Sequence, residues 1–349
     1  MTDYFQKNKI AVFSDLHIGV HQNSKYWHNI AKEWAEWIIA DLKAQDISDV
    51  VFCGDYFHTR DEVNVDTLHF GSQLLEMFSD FKVTLITGNH DCYLRDSSSI
   101  NSLTPFARWS NINVISTTQH ASSHGKTFAF VPWGESVDNI NRVDVIFGHF
   151  EIKLFKMNSF AICDDGIESQ DLIAKAPLTL TGHFHLRDER NYPGGKILYV
   201  GNPFQMDFND AGSTKGYYIL DVESSRCEFI ENKFSPRHHN VLLSELVAFG
   251  TITERVKELF YNNLIKLKID RRISPEDTDF LINKLRNLSP AQFTIDYDFV
   301  KSDYDLEEEK RDLSGINIEQ AITEFIELMD INNKSEVLSK TLEIYNRVK

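Results

Sequence analysis

The segment SDVVFCGDYFH, residues 48–58, contains a run of strand-forming residues followed by an aspartate and a histidine, residue types that can bind metal ions. Its apolar part, VVFC, favours a buried β-strand. Gly54 lacks a Cβ atom and lets the chain turn sharply where the strand ends, so that the side chain of Asp55 can point toward a shared site. We therefore expect a buried strand that is followed by a carboxylate and, three residues later, by His58.

Four further segments repeat this arrangement of an apolar strand followed by polar side chains. They are IAVFSDLH (10–17), VTLITGNHD (83–91), VIFGH (145–149) and LTLTGHFH (178–185). The carboxyl ends of neighbouring strands meet at one edge of a sheet, where open α/β proteins build their sites. The sequence therefore predicts one centre, formed by Asp15, His17, Asp55, Asn89, His149, His183 and His185.

Each motif taken alone has an ordinary structural explanation. An Asp-x-His pair is more often a chance match or a helix cap, and a histidine such as His149 is most often a hydrogen-bonded core residue. Five motifs in this order, each at a strand end, are difficult to explain by packing.

The ligand types narrow the choice of metal. Imidazole, carboxylate and amide groups without thiolates suit Mn²⁺, Fe²⁺, Co²⁺ or Zn²⁺. Seven ligands are too many for one ion, so we predict two divalent ions that share Asp55. Two ions ~4 Å apart can hold a bridging hydroxide that attacks a phosphodiester. His90 is then placed to protonate the leaving oxygen, with Asp91 fixing its tautomer.

The remaining patterns predict an α/β fold of two stacked mixed β-sheets flanked by helices. Further strands are expected in TFAFVPW, KILYVGNP and YYILDV, and helices near residues 27–38 and 68–78. We assign residues 1–235 to this catalytic domain, which ends near a linker-like stretch, FSPRHHN (234–240). A small β-α-β capping domain (236–300), an acidic linker (301–316) and an amphipathic helix pair (317–349) are expected to follow.

The composition limits the location and the partners of the protein. No run of 18 apolar residues is present, so we expect no membrane span. The four cysteines form no CxxC pair or disulfide framework, which favours a reducing cytoplasm. The formal charge of −16 argues only against a highly basic protein that coats DNA.

In this order, the motifs resemble those of the calcineurin-like metallophosphoesterases. Within that family, GDYFH (54–58) and GNHD (88–91) are similar to the SbcD-type DNA double-strand-break repair nucleases. The short chain is similar in length to phage members of that branch, the nuclease subunits of phage recombination endonucleases.

The resemblance implies a set of roles. One Mn²⁺ is held by Asp15, His17, Asp55 and His185, and the other by Asp55, Asn89, His149 and His183. His90 is the catalytic acid, and His58 handles the substrate strand. The implied activities are 3′→5′ exonuclease on duplex DNA and endonuclease on single strands. The implied partners are DNA, to which the capping domain contributes binding, an SbcC-like coiled-coil ATPase of the ABC type, and a second copy of the chain. The implied setting is the cytoplasm of a bacterial or phage-infected cell.

Two other functions remain open. The same metal site serves protein phosphatases and nucleotide phosphoesterases, although the arginine that phosphatases carry after the second motif is missing here. A non-catalytic scaffold would be expected to have lost ligands, and none is lost. The terminal helices either fold back on this chain or pack with each other, or, as we favour, dock on the ATPase partner.

Overall fold

The computed structural model describes residues 3–158, 160–248, 253–271, 273–297, 322–323, 326 and 333–348. Contacts divide the chain into a large unit, residues 1–269 and 273–296, and a C-terminal unit, residues 270–272 and 297–349. The acidic linker predicted at 301–316 lies outside the described residues. So does the first helix of the predicted terminal pair, apart from Ile322, Thr323 and Ile326.

The first six-stranded sheet has the order β14-β13-β1-β2-β3-β6. Its strands are β1 (Lys9–Phe13), β2 (Asp49–Phe52), β3 (Lys82–Ile86), β6 (Ile112–Ile115), β13 (Gly216–Asp221) and β14 (Arg226–Glu231). The strands β1, β2, β3 and β6 are parallel, whereas β13 and β14 run antiparallel to their neighbours. The three parallel strands β1, β2 and β3 therefore end side by side at one edge.

The second six-stranded sheet has the order β11-β12-β10-β9-β8-β7. Its strands are β7 (Gln119–Ser123), β8 (Lys126–Val131), β9 (Val145–His149), β10 (Leu178–Gly182), β11 (Asp188–Tyr192) and β12 (Gly195–Tyr199). The four central strands are parallel and the two edge strands are antiparallel. The predicted architecture of stacked mixed sheets is confirmed.

Alternation along the strands explains how the sheets pack. In β1, Ile10 and Val12 belong to the apolar layer that also contains Phe128 and Phe147 of the second sheet. Ala11 and Phe13 point the other way, toward a cluster that includes Trp34. Both faces of the strand are thus buried, as expected for a parallel strand of continuous apolar sequence.

Helices cover the outer faces of both sheets. They are α1 (Val20–Asn23, a single turn), α2 (Lys25–Ala44), α3 (Val65–Met77) and α4 (Ser169–Lys175). The predicted helices near 27–38 and 68–78 correspond to α2 and α3. Trp27, Trp34 and Ile38 form the buried face of α2 at helical spacing. A two-stranded hairpin, β4 (Cys92–Leu94) and β5 (Ser97–Asn101), follows the third motif.

A three-stranded sheet with its own apolar core comes after β14 in the chain. It contains β15 (His238–Leu242), β16 (Leu264–Ile269) and β17 (Gln292–Tyr297), with helices α5 (Leu243–Ala248), α6 (Glu254–Phe260) and α7 (Pro275–Arg286). The predicted β-α-β unit is β16, α7 and β17. The interpretation of FSPRHHN as a linker is wrong for residues 238–240, which lie in β15.

The C-terminal unit contains α8 (Lys334–Val348), which corresponds to the second helix of the predicted pair. None of the helices in the described ranges is long and apolar enough to cross a membrane.

Candidate metal centre

The seven predicted ligands come together where the two sheets present the ends of their parallel strands. Asp15, Asp55 and Asn89 follow β1, β2 and β3, and His149 and His183 stand at the ends of β9 and β10. All but His183 and His185 are buried, and those two are half-buried. The topology therefore brings together side chains that are up to 170 positions apart in the sequence.

One group of donor atoms is centred on Asn89. Its Oδ1 atom lies 2.8 Å from Nε2 of His149 and 2.8 Å from Nδ1 of His183. The same Nε2 atom of His149 lies 3.3 Å from Oδ2 of Asp55. Together with Asn89, these are the four residues that the resemblance assigns to one ion: Asp55, Asn89, His149 and His183.

A second group of donor atoms lies on the other side of Asp55. The Nε2 atoms of His17 and His185 are 2.9 Å apart, and Nε2 of His17 is 3.7 Å from Oδ2 of Asp55. Asp15 offers an oxygen within 4.8 Å of both imidazoles. Asp55 Oδ2 thus borders both groups, as expected of a shared carboxylate.

The spacing of these donors fits divalent ions. Donors ~2.1 Å from one ion and at right angles to each other are about 3 Å apart. The contacts between imidazole nitrogens and between imidazole and amide oxygen fall in that range. The donor set contains no thiolate, in keeping with Mn²⁺, Fe²⁺ or Zn²⁺ rather than a structural zinc cluster.

Burial sets the charges of the centre. Burial raises the pKa of Asp15 to about 7, and burial together with the neighbouring His149 lowers the pKa of His183 to about 3. Burial also lowers the pKa of His149, but the adjacent Asp55 outweighs it and raises that pKa to about 9. A divalent cation favours carboxylates over carboxylic acids and neutral imidazoles over imidazolium ions, so it would compensate the cost of burying this cluster.

The backbone at the strand ends is strained. Asp15, His17, Asp55 and His183 have φ angles of 55°, 48°, 60° and 98°, in a region that side-chain-bearing residues rarely adopt. Such conformations cost energy and are concentrated at functional sites. Here they turn four predicted ligands toward one point.

Two glycines make the close approach of the ligands possible. A Cβ atom on Gly54 would lie 2.3 Å from Nδ1 of His149, and one on Gly88 would lie 2.2 Å from Oδ1 of Asp55. The reason for these glycines is therefore the space next to a ligand, as well as the left-handed φ of 99° at Gly54.

His90 and His58 lie at the edge of this centre. The ring of His90 donates from Nδ1 to the carbonyl oxygen of His58 (2.5 Å), which leaves Nε2 available for a substrate. The rings of His58 and His90 stack at 5.5 Å, and Nδ1 of His58 is 3.4 Å from Nδ1 of His17. Burial, followed by the neighbouring His90, lowers the pKa of His58 to about 4, so His58 is a neutral hydrogen-bond partner.

The expected role of Asp91 is corrected by the structure. Its carboxylate is fully buried and accepts hydrogen bonds from the backbone N–H groups of Asp55, Tyr56, Phe57 and Gly88, at 2.9, 3.2, 3.0 and 2.9 Å. It therefore does not fix the tautomer of His90, for which the carbonyl of His58 is the partner. The reason is geometric, because the peptide N–H groups of the turn after β2 converge on Asp91.

Two features of the site were not predicted. The indole of Trp133 lies 5.0 Å from the ring of His183 and donates to the carbonyl oxygen of Arg95 (2.8 Å). The ammonium group of Lys215 donates to the carbonyl oxygen of His185 (2.8 Å) and to Oδ1 of Asp210 (2.6 Å). Trp133 is the last residue of the predicted strand TFAFVPW, but Trp does not bind metals, so the ligand pattern gave no signal for it.

Known proteins are similar to the part of the chain that carries these candidate ligands. A family model described as calcineurin-like phosphoesterase matches residues 8–211. Exonuclease subunit 1 of Enterobacteria phage T4 is 26% identical over 235 residues, which cover 64% of this chain and 68% of the relative.

Two solved structures are also similar. One is an archaeal phosphodiesterase, with a TM-score of 0.36 and 12% identity over 64% of this chain and 99% of the other. The second is a dimetal phosphatase from Danio rerio, with a TM-score of 0.42 and 11% identity over 66% of this chain and 96% of the other.

Proposed function

The chain belongs to the calcineurin-like phosphoesterase family, and on that premise we propose that it is the two-metal nuclease subunit of a DNA recombination and repair complex. The observation that carries this proposal is the convergence of all seven candidate ligands, with His90 beside them, on one buried edge. The relative named as an exonuclease subunit supports DNA as the substrate.

The proposed ligand sets follow the two groups of donors. Asp15, His17, Asp55 and His185 hold one ion, and Asp55, Asn89, His149 and His183 hold the other. Bound divalent ions, for which Mn²⁺ is the proposed identity, supply charge that stabilises the attacking and leaving oxygens of a displacement at phosphorus.

The chain itself supplies orientation and a proton. His149 donates from Nδ1 to the carbonyl oxygen of Cys53 (2.7 Å), which fixes the tautomer whose Nε2 faces the donor group. The bond from His90 Nδ1 to His58 likewise fixes that ring, so that a proton on Nε2 is presented to the leaving oxygen. His58 lies between this acid and the candidate ligand His17, since its ring stacks on His90 and its Nδ1 atom is 3.4 Å from Nδ1 of His17.

The substrate and partners extend the same proposal. The resemblance of the GDYFH and GNHD motifs to those of the SbcD-type nucleases implies 3′→5′ exonuclease action on duplex DNA and endonuclease action on single strands. The chain acts as a dimer, and its C-terminal helices dock on a coiled-coil ATPase of the ABC type. The three-stranded module contributes to DNA binding.

The test is a nuclease assay with end-labelled linear duplex, Mn²⁺, and the cognate ATPase with ATP present or absent. We expect metal-dependent release of nucleotides, and we expect His90→Asn to lower turnover by about 10²–10⁴-fold while metal content stays unchanged. Hydrolysis of phosphoserine peptides without any action on DNA would instead identify a phosphatase. Unaltered turnover in the His90 variant would remove His90 from its proposed role.

A further inference from the structure

A basic cleft lies at the edge of the second sheet where its parallel strands end, and its lining begins one residue after His185. It has a volume of about 360 Å³ and is lined by Lys156, Leu186, Arg187, Asp188, Arg190, Gly212, Ser213 and Thr214. The lining comes from three places in the fold, namely the loop after β9, the segment that leads into β11, and the loop before β13. It is large enough for a nucleotide-sized group.

Three of the lining residues are cations in a chain of net charge −16. Arg190 is used structurally, because its guanidinium pairs with Asp188 at 2.7 Å and lies over the ring of Phe155. Arg187 instead donates to the hydroxyl of Tyr218 (3.2 Å) and rests on the ring of Phe229. In the described part of the chain, neither Lys156 nor Arg187 forms a salt bridge, and both are exposed.

Hydrogen bonds fix the segment behind the cleft. Lys215, which follows the lining residue Thr214, is buried and bonds to both Asp210 and the carbonyl oxygen of His185. Arg187 packs on the ring of Phe229. The lining residue Thr214 is therefore tied, through Lys215, to the backbone of a candidate metal ligand.

We propose that this cleft is a subsite for the sugar-phosphate backbone of the DNA substrate, with Arg187 and Lys156 as its phosphate contacts. This inference rests on the proposed function. The guanidinium of Arg187 suits a phosphate, since it offers several N–H donors in one plane. The hydroxyl of Thr214, which also lines the cleft, adds a neutral donor of the kind that accompanies phosphate contacts. Because the cleft lies at the same edge of the second sheet as His149 and His183, a backbone held here is placed to guide the DNA to the metal centre.

The experiment compares the full-length wild type with the double variant Lys156→Gln/Arg187→Gln. Binding of a fluorescent duplex is measured by anisotropy over a series of salt concentrations, in EDTA and again with Mn²⁺. We expect the double variant to bind about tenfold more weakly, and the slope of log affinity against log salt to fall by about 1 for each lost phosphate contact. Arg142→Gln, which removes an exposed arginine outside the cleft, is the matched control and should leave both quantities unchanged.

A second readout separates the cleft from the chemistry. Hydrolysis of bis(p-nitrophenyl) phosphate, which is too small to span both sites, should be the same in the wild type and in the double variant. A wild type that binds duplex through the cleft but hydrolyses neither substrate would overturn the proposed function and leave the subsite standing.

Two results would overturn the subsite. They are duplex affinity and salt slope in the variant within twofold of the wild type, and a wild type that binds no duplex. If either is found while inorganic phosphate stabilises the wild type and not the variant, the cleft binds a small anion instead of DNA. Melting temperatures verify folding, and the single variant Lys156→Gln, on an exposed loop, provides the same test if the double variant does not fold.

Discussion

At the scale of single residues, the carboxylate of Asp91 organises the turn that carries the candidate bridging ligand. It accepts four backbone N–H groups, three of them from consecutive residues of the GDYF turn. Asp55 has a left-handed backbone conformation in this turn, with φ of 60°. The hydrogen bonds to Asp91 compensate that strain, because each of them stabilises the turn conformation in which these backbone N–H groups point at the Asp91 carboxylate.

Asp91→Asn therefore tests a structural role. The amide has one acceptor oxygen in place of two and directs its NH₂ group at N–H donors, so we expect a loss of about 2–4 kcal/mol in the free energy of unfolding. Urea denaturation and bound metal are measured together, and both should decrease. Asp61→Asn, an exposed change near the same turn, is the control. Normal stability with a changed pH dependence of turnover would instead restore a role next to His90.

The buried pair of Lys215 and Asp210 provides a second residue-scale prediction. Their side chains are 4% and 5% exposed, and the ammonium group holds the carbonyl oxygen of His185. Lys215→Met should weaken Mn²⁺ binding by about tenfold, as outer-sphere partners of metal ligands typically do. Lys215→Arg should recover part of that loss, and Lys233→Met, on an exposed residue, should cause none. Titration calorimetry gives the affinities, and an unchanged affinity in Lys215→Met would show that the pair supports only the fold.

These residues show what the sequence could and could not reveal. The ligands were predictable because each belongs to a residue type that binds metals and follows an apolar run. Such runs form parallel strands, and the ends of neighbouring parallel strands lie close together in a sheet. Asp91 and Lys215 act through backbone groups of other segments, so no spacing in the sequence marks them. Asp91 was also misassigned because it stands next to His90 in the chain, although its side chain points to a different turn.

At the scale of secondary-structure elements, β15 is the clearest departure from the predicted organisation. Its sequence, HHNVL, contains two histidines and an asparagine and lacks the apolar alternation that identifies strands. It forms because it pairs in parallel with β16, and because His238 stacks on Trp27 of α2 at 5.9 Å. Strands with continuous apolar sequence were predicted, whereas polar edge strands such as β7 and β11 were not.

The burial of His238 makes the stability of this element depend on pH. Burial lowers the pKa of His238 to about 4, while an unfolded chain has a histidine pKa near 6.5. The contribution of the neutral His238 to the free energy of unfolding is therefore fully present above pH 6.5. It is lost as the pH falls toward 4, because the unfolded chain binds the proton first. Relative to His238→Phe, the wild type should lose roughly 2–3 kcal/mol between pH 7 and pH 4. Denaturation curves at both pH values measure this difference, and parallel loss in the two proteins would contradict it.

At the scale of the whole molecule, the metal centre and the C-terminal unit are separable. All candidate ligands lie before residue 186, whereas the unit that contains α8 consists of residues 270–272 and 297–349. Deleting residues 302–349 should therefore leave a folded, metal-loaded protein that no longer associates with the ATPase. Co-purification with the cognate ATPase measures the association, and metal analysis verifies the remaining domain. A truncated chain that still co-purifies would show that the docking surface lies elsewhere.

For the fold as a whole, the sequence predicted the two stacked sheets and the helices that flank them. Apolar runs identified seven of the eight parallel strands in the two six-stranded sheets, all but β6, and helical spacing identified α2 and α3. The order of the strands in each sheet, and the pairing of β15 with β16, depend on contacts between distant segments that no local pattern specifies.

The stoichiometry of bound Mn²⁺ tests the central claim most directly. Equilibrium dialysis of the metal-stripped chain against Mn²⁺, followed by elemental analysis, should give two ions per chain. One ion per chain, or none, would contradict a dinuclear centre built on a shared Asp55.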